Sequence, residues 1–285
     1  QGEAVARIFT AKGRPANNPL IVHVAGMEQV AEVTAAIPEI AFKLMRSFWP
    51  GPLSLVLPRS AVLPREVSAG LPTVAVRMPA HPQALGLIRA AGVPIAAPSA
   101  NLSGRPSPTR PLHVLQDLAG RIDAVLDGGP CPLGVESTVL DLNGARPAIL
   151  RPGGVTREQL EDALGVKICE KSAAGAETPE SRGWESRRYA LRTPLILITG
   201  SPERRGAVLR SLAAGYRRRG LKVGVLRMLP GPGGIRRAAR DLFPQLRRLE
   251  AQGHALILAE GVPAGGLGDT ITDRLRRAAT RIIRV

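Results

Sequence analysis

Pro52-Leu53-Ser54-Leu55-Val56-Leu57-Pro58 is a short apolar run that is closed by a proline at each end. A run of this length between residues that interrupt regular structure is typical of a strand buried inside a sheet. Residues 73–77 (TVAVR) and 20–24 (LIVHV) are rich in β-branched side chains in the same way. Together the three runs predict a sheet in the first half of the chain.

Helical and strand patterns alternate around these runs. Residues 4–9 have helical spacing, residues 28–48 read as helical segments interrupted by Pro38, and Thr156 with Gln159 predicts a capping box. A further helix is predicted over residues 81–91, and further strands over residues 93–96, 124–126, 137–141 and 148–150. Because short turns join some of the strands, we expect a mixed rather than a purely parallel sheet.

The second half of the chain changes character. Residues 169–193 are polar, small and turn-rich, which indicates a linker. Beyond it, apolar runs at 195–198, 221–225 and 255–259 are separated by helical stretches at 204–218 and 235–252. This order predicts a small open α/β domain with a parallel sheet. The domains are therefore expected at residues 1–168 and 194–285, with the linker between them.

Charge is spread unevenly over a chain of formal net charge +16. Residues 1–150 hold 13 Lys/Arg and 10 Asp/Glu, whereas residues 151–285 hold 26 and 13. Such an excess attracts polyanions such as RNA, although a GC-rich coding sequence accounts for it equally well. Aromatic residues make up 3% of the chain, which argues against a protein that stacks nucleic-acid bases.

Cysteines and hydropathy exclude other classes. Cys131 and Cys169 do not form a ligand-spaced pair, so neither a zinc site nor a disulfide framework is predicted. No apolar run reaches the roughly 18 residues that a transmembrane helix needs, and no signal-peptide pattern occurs. We therefore expect no membrane contact and a cytoplasmic protein.

Two polar segments are candidate binding sites. Lys12 and Arg14 with Asn18 place two cations and an amide after a helix, and these groups suit phosphate. Ser99 and Asn101 lie in a loop after a strand, where small neighbours let the backbone approach an oxygen-rich ligand. A solvated surface turn and an ordinary Ser/Asn turn are the alternatives at this stage.

Three further residues lie at or near strand ends. Arg77 closes one strand and Arg151 follows another, where open α/β sheets place their ligands. Either arginine could equally be a surface salt-bridge partner. His23 lies in an apolar run, where a lone histidine is more often a core residue than a ligand.

Six motifs, taken in order, resemble those of the YrdC/Sua5 family over about residues 4–165. They are Lys12-Gly-Arg-Pro-x-x-Asn18-Pro-Leu-Ile-Val-His23, Trp49-Pro-Gly-Pro-Leu-Ser54, Thr73-Val-Ala-Val-Arg77, Pro98-Ser-Ala-Asn-Leu-Ser-Gly104, Glu136-Ser-Thr-Val139 and Arg151-Pro-Gly-Gly154. The run at residues 258–277 is similar to the longer Sua5 type. The resemblance implies a twisted mixed-sheet YrdC-like domain followed by a smaller Rossmann-like parallel α/β domain.

The resemblance also implies a reaction, in which L-threonine, bicarbonate and ATP give threonylcarbamoyl-AMP and pyrophosphate for the tRNA modification t6A. It assigns the catalytic signature to Lys12, Arg14, Ser99 and Asn101. It assigns ATP contacts to Arg14, Asn18, Thr73, Ser99, Ser107 and Arg151. It assigns threonine contacts to His23, Arg77, Ala97 and Ser137. Carbamate attack on an α-phosphate needs charge stabilisation more than a covalent nucleophile, which these residue types can supply.

Further expectations concern partners. Mg²⁺ is expected with ATP, and because such ions keep several waters, no dedicated protein site for a metal is predicted. The downstream t6A transferase machinery is expected as a partner, together with tRNA or double-stranded RNA. The family's N-terminal segment would precede residue 1, and its Tyr-Arg-His-Tyr-like linker run reads here Ser186-Arg-Arg-Tyr189. Alternatives are a non-catalytic RNA-binding protein of this fold and a carbamoyl-transfer domain of the hydrogenase-maturation type.

Overall fold

A computed structural model describes residues 1–170, 189–228 and 233–285, and its contacts divide the chain into two compact units. The first unit consists of Gln1–Ser103, Val114–Gly129 and Glu136–Ser186. The second consists of Gly104–His113, Pro130–Val135 and Arg187–Val285. Most of the predicted linker, residues 171–188, lies outside the described residues, so the predicted domain boundaries stay predictions.

The helices and strands of the first half follow the sequence patterns closely. The helices are α1 (Gly2–Lys12), α2 (Met27–Val33), α3 (Glu39–Phe48), α4 (Pro82–Ala91), α5 (Pro111–Leu118) and α6 (Arg157–Leu164). The strands are β1 (Ile21–His23), β2 (Leu53–Pro58), β3 (Thr73–Arg77), β4 (Ile95–Ala97), β5 (Thr138–Asp141), β6 (Ala148–Arg151) and β7 (Cys169–Glu170). The capping box predicted at Thr156 is present, with Gln159 as its other member.

The seven strands form one sheet in the order β4-β1-β3-β2-β5-β6-β7. Parallel pairs (β1 with β3, β2 with β5, β6 with β7) alternate with antiparallel pairs, so the predicted mixed sheet is confirmed. The strand predicted at residues 124–126 is wrong, because this segment has no regular structure and the side chain of Leu126 is 65% exposed. A run of three residues without a buried face has little to hold it in a sheet.

The two faces of this sheet differ in what they carry. Leu53, Leu55 and Leu57 point to the face that packs in the main core, which includes residues of α1, α2, α3 and α6. The alternate residues of the strands form a small apolar cluster on the other face, made of Ile21, Val56, Ala75, Val139 and Leu150. Helices α1, α2, α3 and α6 therefore cover one face of the sheet.

The second unit contains the predicted parallel sheet. Its strands are β8 (Leu195–Thr199), β9 (Val223–Leu226), β10 (Leu256–Glu260) and β11 (Arg281–Arg284), and its helices are α7 (Pro202–Arg218), α8 (Gly234–Ala251) and α9 (Leu267–Ala278). All pairs are parallel in the order β11-β8-β10-β9. Helix α7 packs on one face of the sheet, while α8 and α9 pack on the other. Within the described residues no helix has both the length and the hydropathy to cross a bilayer.

Candidate functional site

Lys12 is a buried cation at the end of helix α1. The helix ends there because Gly13 adopts the left-handed conformation (φ 60°) and donates to carbonyl groups of the last turn. The Lys12 ammonium donates hydrogen bonds to the carbonyl oxygens of Ser99, at 2.5 Å, and Asn101. In return, the N–H of Ser103 donates to the Lys12 carbonyl at 2.9 Å. Lys12 therefore holds the loop that follows β4.

Arg14 and Asn18 form a second buried group, just before strand β1. The Nε of Arg14 donates to the Asn18 carbonyl at 3.0 Å, and its Nη2 donates to Asn18 Oδ1 at 2.5 Å and to the Pro19 carbonyl at 2.6 Å. The guanidinium carbon lies 6.0 Å from the centre of the Phe9 ring. These contacts fix the plane of the guanidinium.

The strand ends bring four of the other predicted residues to one edge of the sheet. Parallel strands β1 and β3 end at His23 and Arg77, which are paired in register. The neighbouring strand β2 runs the opposite way and begins at this edge, as does β5 directly after Ser137. Strand β6 returns to the same edge and ends at Arg151, which is paired with Val139 of β5.

Arg151 and Ser137 contact each other directly at this edge. Arg151 is 2% exposed and donates from Nη2 to the Ser137 carbonyl at 2.8 Å and to its hydroxyl at 3.1 Å. The Ser137 hydroxyl also lies 2.8 Å from the hydroxyl of buried Ser54. Ser54 was not predicted as a site residue. In the sequence, Ser54 stands out as the one polar side chain in the apolar run from Leu53 to Leu57.

Arg77 and His23 lie beside each other, and the charge of Arg77 affects the pKa of His23. The pKa of His23 is lowered from 6.5 to about 4, mainly by burial and also by the positive charge of Arg77. Hydrogen bonding to the backbone of Ile95 and Ile21 opposes this shift only in part. His23 is therefore neutral near pH 7, while Arg77 donates from Nε to the Gly51 carbonyl at 2.9 Å.

Thr73 and Ala97 lie at the opposite edge of the sheet. Thr73 begins β3, and Ala97 is paired with Ile21 at the start of β1. By the two-residue period of a strand, Thr73 shares a face with Arg77, and Ile21 shares that face with His23. Because β1 has three residues, the two edges are separated by roughly 7 Å along this strand.

The first unit therefore presents two groups of predicted residues at the two edges of one sheet. The group at the start of β1 and the end of β4 contains Lys12, Arg14, Asn18, Thr73, Ala97, Ser99 and Asn101. The group at the other edge contains His23, Arg77, Ser137 and Arg151. Ser107 is the exception, because it is buried within the second unit.

The chemical character of both groups is that of an anion site. The first group provides the ammonium of Lys12 and the guanidinium of Arg14, and the second provides the guanidinium groups of Arg77 and Arg151. Such donors bind phosphate or carboxylate. No group of three or more His, Cys, Asp or Glu side chains able to hold a metal ion occurs in the parts of the chain that the structure describes.

Two family models match the chain, one after the other. A family model named Sua5_yciO_yrdC and described as "Telomere recombination" matches residues 1–153. A second model, described as "Threonylcarbamoyl-AMP synthase, C-terminal domain", matches residues 155–280. The two matches together extend over most of the chain.

Individual relatives match over almost the whole chain. Threonylcarbamoyl-AMP synthase of Pyrococcus abyssi is 45% identical over 99% of this chain and 86% of its own length, and that of Bacillus subtilis is 46% identical over 99% and 85%. The crystal structure of P. abyssi Sua5 complexed with L-threonine superposes with a TM-score of 0.92, at 45% identity over 99% of this chain and 86% of that one.

Proposed function

The chain belongs to the Sua5/YciO/YrdC family, and from this membership we propose that it is a threonylcarbamoyl-AMP synthase. The proposed reaction converts L-threonine, bicarbonate and ATP into threonylcarbamoyl-AMP and pyrophosphate. One observation in the structure supports it most: buried cations lie at one edge of a sheet face, and a neutral histidine, an arginine and a serine lie at the other. This arrangement suits a polyphosphate and an amino acid bound side by side.

We assign the ATP phosphates to the group around Lys12. The side chains of Lys12 and Arg14 are buried and already oriented by backbone carbonyls, so little side-chain entropy is lost when phosphate binds. Asn18, Thr73 and Ser99 are proposed as further ATP contacts, together with Arg151 from the other edge, and Asn101 is proposed to act with Lys12. Mg²⁺ is proposed to enter with ATP and to neutralise charge on its phosphates.

We assign L-threonine to the group around Arg77. The Arg77 guanidinium is suited to the threonine carboxylate, and the Ser137 hydroxyl is suited to a polar group of the substrate. His23 accepts or donates a hydrogen bond without adding a second positive charge, because burial and Arg77 keep its pKa low. Ala97 is proposed as a small apolar contact. The similar structure of P. abyssi Sua5 is a complex with L-threonine, which supports the same substrate here.

The proposed chemistry needs alignment and charge stabilisation. The threonine amine and bicarbonate combine with loss of water to give a carbamate. A carbamate oxygen then forms a bond to the α-phosphorus of ATP, and the bond from that phosphorus to the bridging oxygen breaks to release pyrophosphate. Negative charge moves onto phosphate oxygens during this step, so preorganised Lys and Arg donors lower its barrier. No covalent nucleophile is required.

The product defines the proposed partners. Threonylcarbamoyl-AMP is a mixed anhydride that can acylate an amine, and we propose that the t6A transferase machinery transfers its threonylcarbamoyl group to tRNA. Contact with tRNA or double-stranded RNA is part of this proposal. Since ATP, tRNA and the transferase must meet, we also propose a cytoplasmic location.

A direct test uses labelled bicarbonate with ATP, Mg²⁺ and threonine. We expect threonine-dependent release of pyrophosphate and label in a product with the mass of threonylcarbamoyl-AMP. The Lys12→Met variant should lose most of this activity, whereas the matched Lys43→Met variant, at an exposed position on α3, should retain it. If pyrophosphate release is the same with and without threonine, the proposed function is wrong.

A further inference from the structure

The loops that follow strands β8 and β10 of the second unit lead to opposite faces of its sheet. The two strands are parallel neighbours, so both end at the same edge. From β8 the chain enters α7, which packs on one face, and from β10 it enters α9, which packs on the other. In open α/β sheets, ligands bind between two such diverging loops. We call this place, which is bordered by Gly200 and Glu260, the switch crevice.

A buried ion pair lies at the switch crevice. Arg205 belongs to the first turn of α7, and Glu260 is the last residue of β10. Leu209, one turn after Arg205, and Leu258, two residues before Glu260, belong to the same apolar cluster. By the periods of a helix and a strand, both charged side chains therefore extend from the α7 side of the sheet. They lie above that cluster, where the strands end.

The two charges of this pair are not joined by a hydrogen bond. Arg205 Nε lies 3.7 Å from Glu260 Oε1, which is longer than the roughly 2.7–2.9 Å of a hydrogen-bonded pair. Only 9% of the Arg205 side chain and 21% of the Glu260 side chain are exposed. Nε is buried without a hydrogen-bond partner in the described chain. Such groups are normally paired in folded proteins.

The remaining polar atoms of the pair have few partners among described residues. Arg205 Nη1 donates to the Gly200 carbonyl at 2.9 Å, whereas Nη2 makes no hydrogen bond there. Neither carboxylate oxygen of Glu260 accepts one. The adjacent backbone is already occupied, since the Gly261 N–H donates to the Ile198 carbonyl at 2.9 Å. The pair therefore retains hydrogen-bonding capacity on both its cation and its anion.

The helix ends at this edge do not suit a phosphate. Ser201 caps α7 with its own side chain, and the next residue, Pro202, has no N–H. At the start of α9, Asp269 accepts from the Gly265 N–H at 2.9 Å. Glu203 and Asp269 also place an acid in the first turn of each helix. Because these acids already offset the helix dipoles, a multiply charged anion would be repelled.

We propose that the switch crevice binds an α-amino acid as its zwitterion. The carboxylate of the ligand accepts from the Arg205 guanidinium, and its ammonium donates to Glu260. A guanidinium matches a carboxylate in geometry, and an ammonium offers three donors to a carboxylate. The charges of such a ligand cancel, as do those of the pair. A simple carboxylic acid or amine meets only one of the two groups and leaves the other without a partner.

This site is separate from the candidate site of the proposed function. Gly200, Arg205 and Glu260 all belong to the second unit, whereas the groups around Lys12 and Arg77 belong to the first. The proposal therefore adds a second amino acid to the threonine that serves as substrate. Its test uses neither ATP nor threonine, so its outcome does not depend on whether the chain makes threonylcarbamoyl-AMP.

The experiment screens the proteinogenic L-amino acids other than threonine against the full chain by ligand-detected NMR. The tightest binder is then titrated beside its N-acetyl derivative, which lacks the ammonium, and its carboxamide, which lacks the carboxylate. The same titrations are made with Arg205→Met and Glu260→Gln. Arg204→Met and Glu203→Gln are matched controls, because they make the same changes at exposed positions of the same helical turn.

We expect at least one amino acid to bind, and both derivatives to bind at least about ten-fold more weakly. Arg205→Met and Glu260→Gln should each weaken binding about ten-fold, and the controls should stay within about two-fold. Thermal unfolding checks the fold of each variant. Glu260→Gln keeps the shape of the side chain and removes no hydrogen bond among described residues, so its result stands even if Arg205→Met fails to fold.

Three results would overturn the proposal. The first is that no amino acid of the panel binds. The second is equal binding of the N-acetyl derivative, which would show a site for anions alone. The third is binding that persists in Glu260→Gln but is lost in Arg77→Met, which would place the ligand in the candidate site of the first unit.

Discussion

Arg151 holds Ser137 at two atoms, because its Nη2 lies 2.8 Å from the Ser137 carbonyl oxygen and 3.1 Å from the Ser137 hydroxyl. The same hydroxyl lies 2.8 Å from that of Ser54. Ser137 is thus oriented by a buried cation before any substrate arrives. A preoriented hydroxyl can discriminate a polar ligand without loss of its own rotational freedom at binding.

Replacing Ser137 with alanine should raise the KM for threonine about ten-fold, which corresponds to roughly 1.4 kcal/mol and is typical of a lost hydrogen bond to a polar ligand. Steady-state kinetics at saturating ATP would measure this effect. Ser54→Ala removes the neighbouring hydroxyl but leaves Arg151 on Ser137, so it should change KM by a smaller factor. Equal effects of the two changes would place the relevant contact on Ser54 instead.

Gly153 follows the end of strand β6 and lies against the backbone at the start of strand β5. A β-carbon built on Gly153 would lie 2.3 Å from the Ser137 carbonyl carbon and 2.3 Å from the Thr138 nitrogen. Gly153→Ala should therefore lower the free energy of unfolding by about 2–3 kcal/mol, because backbone atoms cannot move aside as a side chain can. Chemical denaturation would measure the loss.

Gly144→Ala is the matched control for this prediction. Its β-carbon would have a single neighbour, the Arg146 carbonyl oxygen, at an ordinary 3.6 Å. The control should change the unfolding free energy by less than about 0.5 kcal/mol. Comparable losses in both variants would mean that the close approach at Gly153 does not limit stability.

Local patterns predicted most of the helices and strands. Hydrophobic periodicity and the prolines and glycines that end regular structure can both be recognised within short stretches of sequence. The run from Leu53 to Pro58 forms the predicted strand, and Thr156 with Gln159 forms the predicted capping box. Helices α5 and α9 and strands β7 and β11 were not predicted. Strand β11 reads Arg-Ile-Ile-Arg, and its apolar pair was too short to outweigh its charged ends.

The candidate site could be predicted only as far as its residue types. Nothing local in the sequence pairs His23 with Arg77 or brings Arg151 to Ser137, because these contacts depend on the order and direction of strands that are distant in the chain. The sequence also did not predict that Gly104–His113 and Pro130–Val135 belong to the second unit. Both depend on tertiary packing, which short sequence windows do not contain.

The lowered pKa of His23 predicts a specific dependence of stability on pH. Its pKa is about 4 in the folded chain and 6.5 without the surrounding structure, so the unfolded state takes up a proton first as the pH falls. Stability from a neutral His23 is therefore complete above about pH 6.5 and decreases toward pH 4. The loss amounts to at most about 3 kcal/mol.

Unfolding free energies of the natural chain and of His23→Gln would be compared between pH 4 and pH 7. As the pH falls, the unsubstituted protein should lose more unfolding free energy than the variant, because glutamine cannot take up a proton. His81→Gln, at an exposed position, controls for loss of an imidazole elsewhere. A difference that does not vary with pH would contradict neutral burial of His23.

Glu250 is predicted to hold the Gly104–His113 segment within the second unit. Its carboxylate accepts from Arg105 and from the Arg192 N–H, and the neighbouring Arg247 donates to the Pro106 carbonyl at 2.5 Å. The side chain of Glu250 is 11% exposed, so this pair is poorly screened by solvent. Glu250→Gln retains an acceptor and should lower the free energy of unfolding by about 1 kcal/mol. Glu250→Ala leaves both donors unsatisfied and should lower it by about 2–3 kcal/mol.

Hydrogen exchange at the Arg192 amide gives a local measurement of this contact. Exchange should accelerate modestly in Glu250→Gln and about 30-fold or more in Glu250→Ala, in line with the loss of about 2 kcal/mol or more. Glu203→Gln, an exposed position on α7, should leave the rate unchanged. If glutamine and alanine at position 250 accelerate exchange equally, the carboxylate stabilises the segment by charge rather than by its hydrogen bonds, and the predicted order of the two variants is wrong.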